Sequence, residues 1–204
     1  SLAMSDQSIG ACGGVIEYQA VENKGIARQE NDYLNLENRL KLAESRLLNL
    51  CMGLEGGCYL IRKELFCPIP ARFFMEDFFI TMHVLAAGKK IALNQQARVS
   101  EDISVSPKEE FKRKVRISIG NFQNLIFYGT LLVKRFWPVG FSFLFHKILR
   151  WLTPFFMILM LACLIGLSYF EAAYLFLTFA YVFFLALGLM GMLITAKRGG
   201  LLNY

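Results

Sequence analysis

Apolar positions recur with changing period along this chain. Ile9 to Tyr18 (IGACGGVIEY) combines β-branched residues with glycines. That pattern predicts a buried strand with a close backbone approach. Tyr33, Leu36, Leu40, Ala43, Leu47 and Leu50 then recur at steps of three and four, which predicts an amphipathic helix. Asn31 or Asp32 can cap its start, and Glu37 with Lys41 is a favourable i,i+4 pair. The run Leu54-Glu55-Gly56-Gly57-Cys58-Tyr59-Leu60-Ile61-Arg62 reads as a turn followed by a short strand. After Pro68 and Pro70, Phe73-Phe74-Met75-Glu76-Asp77 opens a helix that ends at Gly88. Acids in its first turn favour the helix dipole, so Glu76 and Asp77 have a plain reading as capping residues. Ile91 to Leu93 and Ala97 to Ser100 read as short strands. The alternation implies an α/β domain, with too few strands for a complete doubly wound sheet.

Beyond this the pattern changes. Phe111, Val115, Ile119, Phe122 and Ile126 form one stripe, with Arg113, Arg116 and Gly120 opposite. Phe141, Phe143, Leu144, Phe145, Ile148 and Leu149 surround a polar strip of His146, Lys147 and Arg150. A basic strip beside a broad aromatic face suits a helix lying in the headgroup plane, and a helix covering a soluble core is the competing reading. Trp151 to Phe170 and Ala172 to Ala196 carry no charge and are separated by Glu171. Each is long enough, at about 1.5 Å per residue, to cross a hydrocarbon core of about 30 Å. They predict a transmembrane hairpin. Lys134, Arg135, Lys147 and Arg150 precede it and Lys197 and Arg198 follow, so both ends are expected on the cytoplasmic side.

Composition sharpens this division. Hydrophobic residues make up 55% of the 204 and charged residues 19%, which excludes disorder and departs from an ordinary soluble domain. The excess is local: after Arg150 the charged residues are Glu171, Lys197 and Arg198. The net charge of +6 is compatible with nucleic acid, anionic lipid or a phosphorylated small molecule. Membrane flanks and phosphate contacts account for it, so no nucleic-acid partner is expected. Cys12, Cys51, Cys58, Cys67 and Cys163 form no C-x-x-C pair, and His83 and His146 are the two histidines. Free thiols in a reducing compartment are expected rather than a zinc site or a disulfide framework. The chain opens on Ser1-Leu2 and closes on Asn203-Tyr204, and reads as a segment of a longer protein.

The order of these pieces is more specific than any one of them. A glycine-rich strand is followed by Tyr33 to Ser45 (Y-x-x-x-E-x-x-L-K and E-S) and Gly56 to Phe66 (G-G-x-Y-x-I-R-K-E-L-F). Then come Glu76-Asp77, Arg113 to Leu125 (R-K-V-R with G-x-x-Q-x-L) and His146 to Trp151 (H-K-x-x-R-W). Over nearly its whole length the chain resembles the C-terminal part of a family 2 glycosyltransferase of the processive membrane type, the group of cellulose, hyaluronan and chitin synthases.

The resemblance implies an α/β, partial GT-A-like (Rossmann-like) catalytic domain, then interfacial amphipathic helices and a transmembrane hairpin. The implied boundaries are 1–107 for the catalytic part, 108–150 for the interface helices, 151–196 for the two spans and 197–204 for the start of a cytoplasmic tail. It implies a nucleotide-sugar donor, a glycan acceptor, contact with membrane lipids, and a multi-pass protein of the plasma (inner) membrane with its catalytic part in the cytoplasm. A divalent metal, Mg or Mn, is implied with its D-x-D ligands outside this chain, so the segment alone is expected to be inactive. Asp77 matches the family's catalytic base, with Glu76 beside it. Arg116 matches the arginine of Q-x-x-R-W, while Arg113 stands where that motif has glutamine and Ile117 where it has tryptophan. Arg113 and Arg116 are thereby implied as donor diphosphate ligands, and Gly56 and Gly57 as the small-residue turn against a sugar. The alternative is a membrane-anchored inactive relative or scaffold subunit, in which Asp77 is a cap. A transporter component is disfavoured, because two spans are too few for internal repeats.

Overall fold

The structure is a computed structural model and describes residues 2–18, 26–101 and 107–200. The last residues of the expected cytoplasmic tail, 201–204, lie outside the described residues. The chain divides into two compact units, one made chiefly of the residues up to Leu149 and the other chiefly of those from Arg150 onward.

In the first unit the glycine-rich run forms β1, Ile9–Tyr18, as its pattern predicts. Two further strands are β2, Tyr59–Ile61, and β3, Lys90–Glu101. Among the described residues they make one sheet in the order β2-β1-β3. β1 runs antiparallel to β2, with Cys12 opposite Leu60, and parallel to β3, with Cys12 opposite Ala92. Ala11, Cys12, Val15 and Ile16 are buried, as expected of a central strand covered on both faces. The close approach is real at Gly14. A Cβ there would lie 2.6 Å from the carbonyl oxygen of Ala97 and 2.8 Å from Cys58 Sγ. The two short strands expected at 91–93 and 97–100 are one continuous strand. Register shifts against β1 fall between Ile9 and Ala11 and between Gly13 and Val15, so the irregularity bends the ladder without dividing it.

Helix α1, Ile26–Leu48, starts earlier than expected, so Asn31 and Asp32 lie inside it and do not cap it. Its apolar stripe also faces the opposite way from a core helix. Leu36 is 57% exposed and Leu47 78%, with Tyr33 and Leu40 also exposed, while Glu37 and Lys41 are buried at 6% and 4%. An amphipathic helix ordinarily buries its apolar face. Here the charged face turns inward because buried partners of opposite charge await it, as described below.

Helix α2, Glu76–Ala86, is buried nearly all round through Phe78, Phe79, Ile80, Thr81, Met82, Val84 and Leu85. Its left-handed N-cap residue, Met75, has φ 58° and makes no side-chain cap. The turn before it is held by α3, Pro107–Tyr128. Gln123 accepts the Phe74 N–H at 2.9 Å and donates to the Arg72 carbonyl at 3.0 Å, clamping the turn before α2. Further along, the Phe79 ring sits 5.3 Å from both Phe127 and Tyr128. The inner face of α3 is formed by Gly120, Asn121, Asn124 and Tyr128. Its apolar stripe is outside: Phe111 is 71% exposed and Ile126 84%, with Val115 and Ile119 also open.

A short helix α4, Leu131–Lys134, and π-helical turns at Phe136–Gly140 and Phe143–Ile148 lead onward. Here the sequence expectation is corrected. The polar strip of His146 and Lys147 does not face outward toward headgroups. Lys147 is buried beside Phe143 and Ile148, while Phe145 is exposed. Two carboxylates of α1 draw the strip inward.

The second unit contains most of α5, Leu149–Ser168, and α6, Ala172–Gly200, with Glu171 between the helices. Both are long and apolar enough to cross a membrane. Within the pair, the Tyr181 hydroxyl donates to the Met157 carbonyl at 3.1 Å.

Candidate active site

The first turn of α2 meets the segment Cys51 to Gly57 in the first unit. Thr81 joins them: its hydroxyl donates to the Asp77 carbonyl at 2.8 Å and accepts the Leu54 N–H at 2.9 Å. This holds Gly56 beside Asp77. A Cβ on Gly56 would lie 3.6 Å from Asp77 Oδ2. Asp77 and Gly56, singled out separately in the sequence, are therefore neighbours. Gly57 points elsewhere, with its nearest side-chain neighbour Val99 on β3. Glu76 is exposed at the helix start.

Asp77 Oδ1 accepts the Phe78 N–H at 2.7 Å. Burial raises the carboxyl above its ordinary proton affinity, and the nearby Glu55 carboxylate adds to this. The Phe78 N–H and the Lys41 and Lys147 ammonium groups act in the opposite direction without cancelling it. Tyr59 of β2 belongs to the same neighbourhood. Its phenol is raised by burial, then by the charges of Asp77 and Glu76.

Beneath this carboxylate lies a network that sequence reasoning missed. Lys41 of α1 pairs with Glu55 rather than with Glu37. Glu37 instead accepts from Lys147 Nζ at 2.5 Å, with His146 Nε2 at 3.3 Å. His146 Nδ1 is 2.8 Å from Glu44 Oε1, and Glu44 Oε2 accepts the Met52 N–H at 3.1 Å. A Cβ on Gly53 would lie 3.6 Å from Lys147 Nζ and 3.7 Å from Lys41 Cε, so both lysine side chains border one glycine. Lys147 Nζ also lies 6.0 Å from the centre of the Phe78 ring. Glu55 keeps Lys41 charged against the opposing effect of burial. The adjacent Cys51 thiol is pushed up to about 12 by burial, which leaves it inert as a nucleophile at neutral pH. The available signal was the spacing of Glu37, Lys41 and Glu44 on one helical face. Nothing in the spacing says that this face, and not the apolar one, is inside.

Arg113 and Arg116 stand on α3 before Gly120, whose face packs against Phe74 and Met75 at the start of α2. Arg116 is exposed and Arg113 half-buried. The fold thus brings Asp77 and Gly56 together and anchors the arginine-bearing helix to the turn that leads into Asp77.

A small mixed sheet, a half-buried carboxylate at a helix start, and two long apolar helices further along the chain make up an α/β unit followed by a candidate membrane hairpin. Residues 50–193 match the family described as glycosyl transferase family group 2, and the chain belongs to that family. Its chemistry is therefore glycosyl transfer. No curated protein sequence matches the chain.

Proposed function

We propose that this chain forms the acceptor-side part of a membrane-bound, nucleotide-sugar-dependent glycosyltransferase. It transfers a sugar to a growing polysaccharide or glycan at the cytoplasmic face of the plasma (inner) membrane. The observation that carries this reading is Asp77, a carboxylate of raised proton affinity beside the open backbone of Gly56. In the proposed step Asp77 takes the proton of an acceptor hydroxyl. The acceptor oxygen bonds to the anomeric carbon from the face opposite the leaving group. The bond from that carbon to the diphosphate oxygen breaks, and the nucleoside diphosphate departs with the electron pair. A single displacement of this kind inverts the anomeric centre.

Arg116, with Arg113 beside it on α3, is assigned to the departing diphosphate, whose oxygens suit the two-pronged guanidinium. Gly56 lets a sugar ring approach the backbone, and Glu76 helps set the helix start. The exposed apolar stripe of α3 is assigned to the membrane interface, at the boundary of headgroups and acyl chains, and α5 and α6 to the bilayer. For the implied metal the described residues offer no fit, since no three His, Cys, Asp or Glu side chains among them are grouped to hold an ion. No step here is routed through it.

A second reading has its own observation. The bond from the Phe78 N–H to Asp77 Oδ1 is what a merely structural acid in a first turn would make. Asp77→Asn separates the two. In membranes carrying the full-length protein, supplied with radiolabelled UDP-glucose, UDP-N-acetylglucosamine, UDP-galactose and GDP-mannose, transfer should fall about 10²–10⁴-fold while donor binding persists. Activity within about twofold of wild type would return Asp77 to a structural role.

A further inference from the structure

The buried charges under Asp77 have no place in the step just described. Lys41 is 4% exposed, an extreme position for a lysine, and it is matched to Glu55. Burying a charged pair is costly, and such a pair does not by itself indicate added stability over an apolar replacement. Glu55 lies between Leu54, whose N–H binds Thr81, and Gly56, which touches Asp77. Thr81 in turn binds the carbonyl of Asp77 itself. The ion pair is therefore attached to the same short segment as the carboxylate, one residue from its neighbour.

We propose that the Lys41–Glu55 pair positions and electrostatically tunes Asp77. Lys41, reaching in from α1, favours the ionised base, and Glu55 opposes it. This rests on the reading of Asp77 as the general base. Lys41 and Glu55 are positioning residues; neither is asked to touch substrate. The groups facing Asp77 come from every side. They are Lys41 of α1, Glu55 of the 51–57 segment, Lys147 of the 143–148 turn and, on β2, Tyr59, which also feels the exposed Glu76. Lys147 is held by Glu37 and acts in the same direction as Lys41. Because Lys147 stands two residues before α5, the juxtamembrane turn and the base share one charge network.

Opposite charges predict opposite shifts. Lys41→Met removes a cation and should move the acid limb of the pH–kcat/KM profile up by about one pH unit. Glu55→Gln removes an anion and should move it down. Lys41→Met/Glu55→Gln removes both and should bring the limb back toward wild type. It also avoids leaving one buried charge alone, so it guards against simple misfolding of the single variants. The same order can be read without turnover, from the pH at which carbodiimide half-modifies Asp77 in the full-length protein, followed by peptide mass mapping. Shifts of the same sign in both single variants, or no shift in either readout, would overturn the tuning role. Failure of the base reading looks different. Asp77→Asn would stay active, and the acid limb would survive that substitution.

Discussion

Replacing Gly120 by alanine should damage catalysis through a residue that touches no substrate. The new Cβ would lie 2.6 Å from Met75 Cγ, 2.9 Å from Met75 Cβ and 2.9 Å from the backbone carbon of Phe74. The Met75 side chain can swing aside, but the backbone before it is held by Gln123 at the Phe74 N–H and at the Arg72 carbonyl. To reach an ordinary contact of about 3.5 Å, that backbone must retreat by roughly half an ångström. Overpacking of this kind costs about 1–3 kcal/mol. The displaced segment leads directly into α2, so Asp77 moves with it. Since a misplacement of about 1 Å can cost about 100-fold, half of that should lower kcat/KM on the order of tenfold. The assay is transfer by detergent-solubilised full-length protein, with thermal unfolding measured on the same samples. Gly120→Ala/Met75→Gly removes two of the three close contacts and places glycine at a φ of 58°, where it is unstrained, so it should recover part of the loss. Unchanged kcat/KM and unchanged unfolding temperature in Gly120→Ala would refute the reasoning.

Three further outcomes are expected. Because burial raises Asp77 in the folded protein, its contribution to stability is full below the ordinary carboxylate range and is lost as pH rises through the folded value. Asp77→Asn should therefore unfold at a higher temperature than wild type at neutral pH, with the difference closing in acid; a lower unfolding temperature at neutral pH would contradict this. Arg116→Ala should lower turnover and weaken inhibition by free nucleoside diphosphate in detergent, with Arg116→Lys recovering only part; unchanged turnover and inhibition would remove the diphosphate assignment. Glu171→Cys should react with an impermeant thiol reagent added to intact cells, above the background of the parent protein, and labelling only after lysis would argue against a hairpin with its turn outside.

Local pattern was enough to place most elements. The run at 9–18 is a strand because β-branched and small residues pack on both faces of a sheet, and its glycines admit the Ala97 carbonyl. The turn and strand after Gly56-Gly57, the helix from Glu76, and the two long apolar helices flanking Glu171 follow equally from neighbouring residues alone. The acid at position 77 was legible as a candidate for the same reason: it belongs to a first helical turn.

What the pattern left open was direction. Periodicity shows that α1 and the 143–148 turn each have a polar and an apolar side, and a one-dimensional pattern contains no inside. The choice was made by residues about a hundred positions apart. Glu37 and Glu44 meet Lys147 and His146, and only the folded chain brings those charges together. Once paired, they can be buried, since each partner offsets the other's loss of water, while an apolar stripe on the far side stays exposed. The proton affinity of Asp77 has the same origin. Its identity and helix position are written in the sequence, but its burial, its Glu55 neighbour and its two buried lysines come from three separate parts of the chain.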